Sequence, residues 1–138
     1  MITDLKVIIY EEKNILSKML NLLDEQYKYI LEKDIKKLNE IVKDLEDTSR
    51  ELASLEIKRR SIVSEDMSMK SIVDESNDEH FQEAYKDIVS TIKMVELQKE
   101  TNDILIRQEL FFTKKMINFI KPNNKNANTY NAYGQIKK

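Results

Sequence analysis

The first 121 residues contain neither glycine nor proline. The strongest local interrupters of regular structure are therefore missing from most of the chain, which then forms long helices wherever apolar residues recur at helical spacing. They do so from the start. Leu5, Ile9, Glu12, Leu16, Met19, Leu23, Gln26 and Ile30 follow one another four and three apart, and Ile8, Ile15 and Leu22 widen the stripe. The spacing predicts a helix over 4–32, capped by Thr3 or Asp4, whose side chains can accept from unpaired first-turn amides. Asp34 then caps a second helix over 35–63. Its stripe reads Ile35, Leu38, Val42, Leu45, Ser49, Leu52, Glu56, Arg59 and Val63, supported by Ile41, Leu55 and Ile62. So short a connection makes the two helices antiparallel neighbours.

A polar run over 64–78 reads as a connection with one helical turn through 69–73, after which Asn77 or Asp78 caps a third helix over 79–121. At 1.5 Å per residue that helix is ~63 Å long, against ~42–45 Å for each of the others, so about a dozen of its residues have no partner. Pro122 ends it, because the residue before a proline is held out of helical geometry. Five of the last 17 residues are asparagine and few are apolar. Such a segment cannot offset its ordering entropy and is expected to be disordered. The expected fold is thus all-α. It is an antiparallel three-helix, up-down-up bundle over 1–121 with a long third helix, followed by a flexible Asn-rich tail over 122–138.

The third helix carries two stripes. Phe81, Tyr85, Ile88, Ile92 and Val95 form one. Leu97, Ile104 and Phe111, seven apart and joined by Met94, form another about 200° round the same helix. Leu105, Leu110, Phe112, Met116, Ile117, Phe119 and Ile120 make its last turns apolar on most sides, and such a helix needs cover. A short helix at 69–75, a second copy of the chain or a foreign amphipathic helix could each provide it. Glu12, Gln26, Arg59 and Asn102 stand where Leu or Ile is expected. They are either partly exposed, with Arg59 reaching out of the core, or they fix helix register and leave a seam for another helix.

Chemistry finds little to work with. The chain has one histidine, His80, among acidic neighbours in a first helical turn, where a solvated surface role is the plain reading, and it has no cysteine. Neither a di-iron carboxylate centre nor a nucleophile–base pair can be assembled, and no glycine-rich loop exists to hold a phosphate. No catalytic residue, metal or cofactor is expected. Basic and acidic side chains number 23 and 25, so nothing favours nucleic acid. Residues 1–121 hold 20 basic against 25 acidic groups, net −5, whereas the tail has Lys125, Lys137 and Lys138 and no acid. The longest apolar run, Val7 to Tyr10, is far below the ~20 residues of a membrane span, and the N-terminus lacks the pattern of a secretion signal. A cytoplasmic protein without membrane insertion is expected.

Several stretches in order resemble one family. "LLDEQYKYILEKDIKKLNEIV" is similar to the end of a first helix, a short Asp-containing turn and the start of a second. "ELASLEIKRRSIV" resembles a second-helix end where an acid–x–x–Arg step follows a leucine stripe. "TNDILIRQELFF" resembles an asparagine-then-leucine segment in a long third helix, although only Asn102 matches the two asparagines often found there. "TYNAYG" resembles a closing Tyr-x-x-x-Gly element, here Tyr130 and Gly134. The family is that of the FlgN-type flagellar export chaperones.

The resemblance implies a cytoplasmic chaperone that binds the terminal helix of flagellar hook-associated, hook–filament junction proteins. It would prevent premature assembly and deliver them to the cytoplasmic domain of the type III export gate. On that reading the client-binding residues are Leu97, Ile104, Leu105, Phe111, Phe112, Met116, Phe119 and Ile120, and the tail docking motif is Tyr130, Tyr133 and Gly134. The rival is a homo-oligomeric helical coiled-coil scaffold without a client. A homodimer is compatible with either.

Overall fold

The computed structural model describes residues 2–64, 67–120, 129–130 and 136–137; for 110–117, 119–120 and the last two pairs the description is of the backbone alone. Among them are four helices: α1 (Ile2–Glu32), α2 (Ile35–Ile62), α3 (Met69–Glu75) and α4 (Glu79–Ile120). Near the C-terminus Thr129–Tyr130 (β1) pairs antiparallel with Ile136–Lys137 (β2), Tyr130 opposite Ile136. The tail, expected to lack regular structure, thus holds one short backbone pairing, and its remaining residues lie outside the described ones.

α1 begins ahead of both caps read for it, so Asp4 lies within its first turn, where a carboxylate favours the helix dipole. The turn to α2 is closed by backbone chemistry. Lys33 takes a left-handed φ of 58°, its amide donates to the Ile30 carbonyl (3.1 Å), and the Asp34 amide donates to the Tyr29 carbonyl (3.0 Å). This pair of bonds is the Schellman motif, here formed without its usual glycine. Asp34 then caps α2, its Oδ1 accepting from the Lys37 amide at 3.1 Å. At the third junction Asn77 has φ 54° and Asp78 supplies the cap, accepting from the Phe81 amide at 3.2 Å. The short turn read at 69–73 falls within α3, which runs on to Glu75 and is capped by Ser68, with Ile72 and Val73 buried.

Long-range pairs fix the directions. Glu12 of α1 meets Arg59 of α2 and Met19 packs near Leu45, so α2 runs back along α1. Lys6 meets Asp78, Lys13 meets Asp87 and Leu23 meets Asn102, so α4 runs alongside α1 in the same direction.

The three long helices do not close into a bundle. α2 and α4 each pack along α1 and make no comparable approach to each other. α1 therefore buries one wide face, Leu5, Ile8, Ile9, Glu12, Leu16, Met19, Leu23, Gln26 and Ile30. α2 buries only Ile41, Thr48 and Leu55, seven apart. This corrects the stripe read for α2: Ile35 is 71% exposed and Val42 45%. A repeat of seven is one narrow seam, enough for a single neighbour. α4 does likewise with Phe81, Ile88 and Val95, leaving Tyr85 half-buried and Ile92 exposed.

Candidate functional site

Two apolar surfaces result from this arrangement. One is a trough of about 470 Å³. α1 is its floor through Ile9, Leu16 and Met19. Ser49, Leu52, Ala53 and Glu56 of α2 form one wall, and Tyr85, Val89, Ile92 and Glu96 of α4 the other. Met69 of α3 lines it as well. The second surface is the face of α4 turned away from α1, where Leu97 is 67% exposed, Ile104 42%, and Met94 is exposed too.

All four polar stripe residues have partners. Asn102 is fully buried; its Nδ2 donates to the Leu23 carbonyl (2.8 Å) and to Gln26 Oε1 (3.0 Å), and its Oδ1 accepts from Gln98 Nε2 (2.9 Å). Of the readings open for Gln26 and Asn102, register fixing is the one that this geometry supports, because sliding α4 along α1 breaks two bonds at once, those to Leu23 and Gln26. Glu12 is buried and accepts from Arg59 Nε at 3.0 Å. Burial pushes the Glu12 carboxyl above its ordinary pKa; the charge and hydrogen bond of Arg59 pull it back, and nearby Glu56 adds to the rise. Asp78 goes the other way, held low first by its bond with Lys6 and then by the Phe81 amide.

Of the residues read as client-binding, Leu97 and Ile104 lie on the outer face of α4 and Leu105 is half-buried. The side chains of Phe111, Phe112, Met116, Phe119 and Ile120 lie outside the described residues. Tyr130 belongs to β1, and Tyr133 and Gly134 are outside the described residues. Leu97, Ile104 and Leu105 do not line the trough. His80 is exposed. Among the described residues no group of three or more His, Cys, Asp or Glu side chains could hold a metal ion, and no helix is long and apolar enough to cross a membrane.

The length of α4 follows from the same pairs. Gln26 stands beside Asn102, and α1 ends six residues later, level with about residue 108 of α4. α4 continues to Ile120, so roughly 18 Å of it passes the end of α1.

A helical chain with one helix running far beyond the others matches a family over its full length: the model for FlgN protein covers residues 1–138. The chain belongs to the FlgN family. That is a family of flagellar export chaperones, so the role of this FlgN-family chain lies in flagellar biogenesis and in binding flagellar proteins. Neither a curated protein nor a solved structure matches the chain.

The trough was missed from sequence. Its signal was present in the polar and small residues Ser49, Ala53 and Glu56, which interrupt the α2 stripe on one side. Ser49 and Glu56 count as members of that stripe by spacing, and only with α4 standing opposite do they become one wall of a trough.

Proposed function

We propose that this chain is a cytoplasmic chaperone that holds the terminal helix of flagellar hook-associated proteins and delivers them to the export gate. Holding and delivery fall to different parts of the chain. Holding belongs to the outer face of α4, where Leu97 and Ile104 lead by steps of seven toward Phe111, with Leu105, Phe112, Met116, Phe119 and Ile120 completing the surface. The observation that carries this reading is the exposed apolar row on a helix that outruns α1 and α2. A client helix laid along it buries that row and shields its own assembly surface. Delivery belongs to the tail over 122–138, where Tyr130 and Tyr133 act as a weak motif on a tether, and Gly134 permits the turn that presents both rings. No bond is made or broken, so no catalytic group is needed.

The test is capture of a purified hook-associated protein by Phe112→Ser/Phe119→Ser. Capture should be lost while far-UV helicity stays nearly intact. Loss of helicity in step with capture would make these side chains ordinary core and remove the proposal. A dimer that dissociates in the same variant would favour the homo-oligomeric scaffold.

A further inference from the structure

We infer that the tail docks as a β-hairpin, with β1 and β2 adding together to an open, acid-flanked strand edge of the partner that receives it. The inference rests on the reading of the tail as the docking element, and it names how that element is held.

Residues 122–138 have the composition of a chain without a preferred shape, with five asparagines and few apolar side chains. Two pairs of positions nevertheless stand in register. Thr129 lies opposite Lys137 and Tyr130 opposite Ile136, in antiparallel order. Five residues, 131–135, separate the two strands, a length that hairpin connections use. They include Asn131 and the chain's one glycine, Gly134, both residue types that turns favour. The Tyr-x-x-x-Gly element from Tyr130 to Gly134 therefore stops short of β2. Ile136, which that element leaves out, holds the register position opposite Tyr130 and joins the docking residues.

The backbone decides the kind of partner. In an antiparallel pair, opposite residues alternate between exchanging their amide–carbonyl bonds and turning those groups outward. Of the two pairs here, one bonds across the hairpin and the other offers an amide and a carbonyl at each outer edge. Two strands alone are marginal in water, and a third strand is what so short a hairpin lacks. An open strand edge on another protein supplies it through main-chain bonds. Among the described residues β1 and β2 are the only strands, so that edge is not provided by the helical part of this chain.

Charge narrows the partner further. Lys125, Lys137 and Lys138 are the only charged side chains in 122–138, which favours an edge flanked by carboxylates. The tail of a second copy fits poorly, because it brings the same three lysines against these.

The test uses the full chain and the purified cytoplasmic domain of the export gate. The chain has no cysteine, so Thr129→Cys/Lys137→Cys can form one defined disulfide. Opposite Cα atoms of an antiparallel pair lie about 4.5–5.5 Å apart, within a disulfide's reach. The oxidised variant should bind the gate domain at least as tightly as the reduced one. Ile136→Pro, which keeps every charge and both tail tyrosines, should bind about tenfold more weakly, since proline cannot donate to a ladder. In the complex the amides of residues 129, 130, 136 and 137 should exchange more slowly, and added salt should weaken binding. Failure of the disulfide to form, loss of binding on oxidation, full binding by Ile136→Pro, amides left unprotected in the complex or indifference to salt would each overturn the inference. If removing residues 128–138 leaves gate binding unchanged, the docking reading itself fails and takes this inference with it.

Discussion

Asn102→Ala should destabilise the fold by about 2–3 kcal/mol, although an alanine is the better helix former. Asn102 makes three side-chain hydrogen bonds, at 2.8, 3.0 and 2.9 Å, from a fully buried position. Each is worth ~1 kcal/mol net, and a partner left buried without one costs ~1–3 kcal/mol. Gln26 is the partner so stranded, because it too is buried; Gln98 is half-buried and can turn toward water. Helix propensity returns about 0.6 kcal/mol, which leaves the loss stated. Urea titration followed by far-UV circular dichroism should show a lower midpoint at an unchanged slope. The companion variant Gln26→Leu/Asn102→Leu removes both members and should regain most of the loss, since an apolar pair strands no polar atom. If Asn102→Ala costs less than ~0.5 kcal/mol, or the double variant is the worse of the two, the network is not what fixes α4 on α1.

The Glu12–Arg59 pair behaves in the same way, with Arg59→Met costing about 2–3 kcal/mol by leaving a buried carboxylate alone and Glu12→Leu/Arg59→Met costing much less, as denaturant midpoints will show. Because the folded Glu12 carboxyl titrates above its ordinary value, the native state holds that proton more firmly than the unfolded chain. Its contribution to stability therefore falls as pH rises from the ordinary carboxylate value to the raised one, and Glu12→Gln should flatten that part of a stability-versus-pH curve. Asp78 has the opposite sign: its contribution is present above its ordinary value and is lost as pH falls toward the lowered one, a loss absent from Asp78→Asn. Lys33→Gly should stabilise by up to ~1 kcal/mol in the same titration, because glycine takes the left-handed conformation at 33 without a Cβ clash. Removing residues 128–138 should leave affinity for a hook-associated protein unchanged and lower its export, with Tyr130→Ala reproducing most of the defect; normal export with collapsed binding would assign the tail to the holding surface.

Helix content was legible because it rests on local rules: no breaker before Pro122, apolar spacing of three and four, and Asp34 placed to cap. The buried face of α1 was legible as well, since α1 has a neighbour on each side and hides its whole stripe. The buried face of α2 was legible only in part: Ile41 and Leu55 read as supporting the stripe, but Ile35 and Val42, which read as its members, are exposed. Periodicity says that a stripe wants cover, and it does not say that a neighbour stands there. Thr48 enters the seam although it is polar, because its hydroxyl donates to the Asp44 carbonyl at 2.8 Å. Nor could spacing along one helix reveal that Glu12 would meet Arg59, 47 residues away. The outer row of α4 was visible in the sequence as a repeat of seven from Leu97 to Ile104. The trough was not, because it is made by three helices together and by the gap between two of them.

The most direct measurement is the native mass of the purified chain, alone and then mixed with a hook-associated protein. A chaperone that keeps its outer α4 face for a client should sediment alone near its chain mass of 16.4 kDa and form a defined heterocomplex on mixing. A stable homo-oligomer that takes up no hook-associated protein would contradict the account, because the exposed row from Leu97 to Ile104 would then belong to another copy of the same chain.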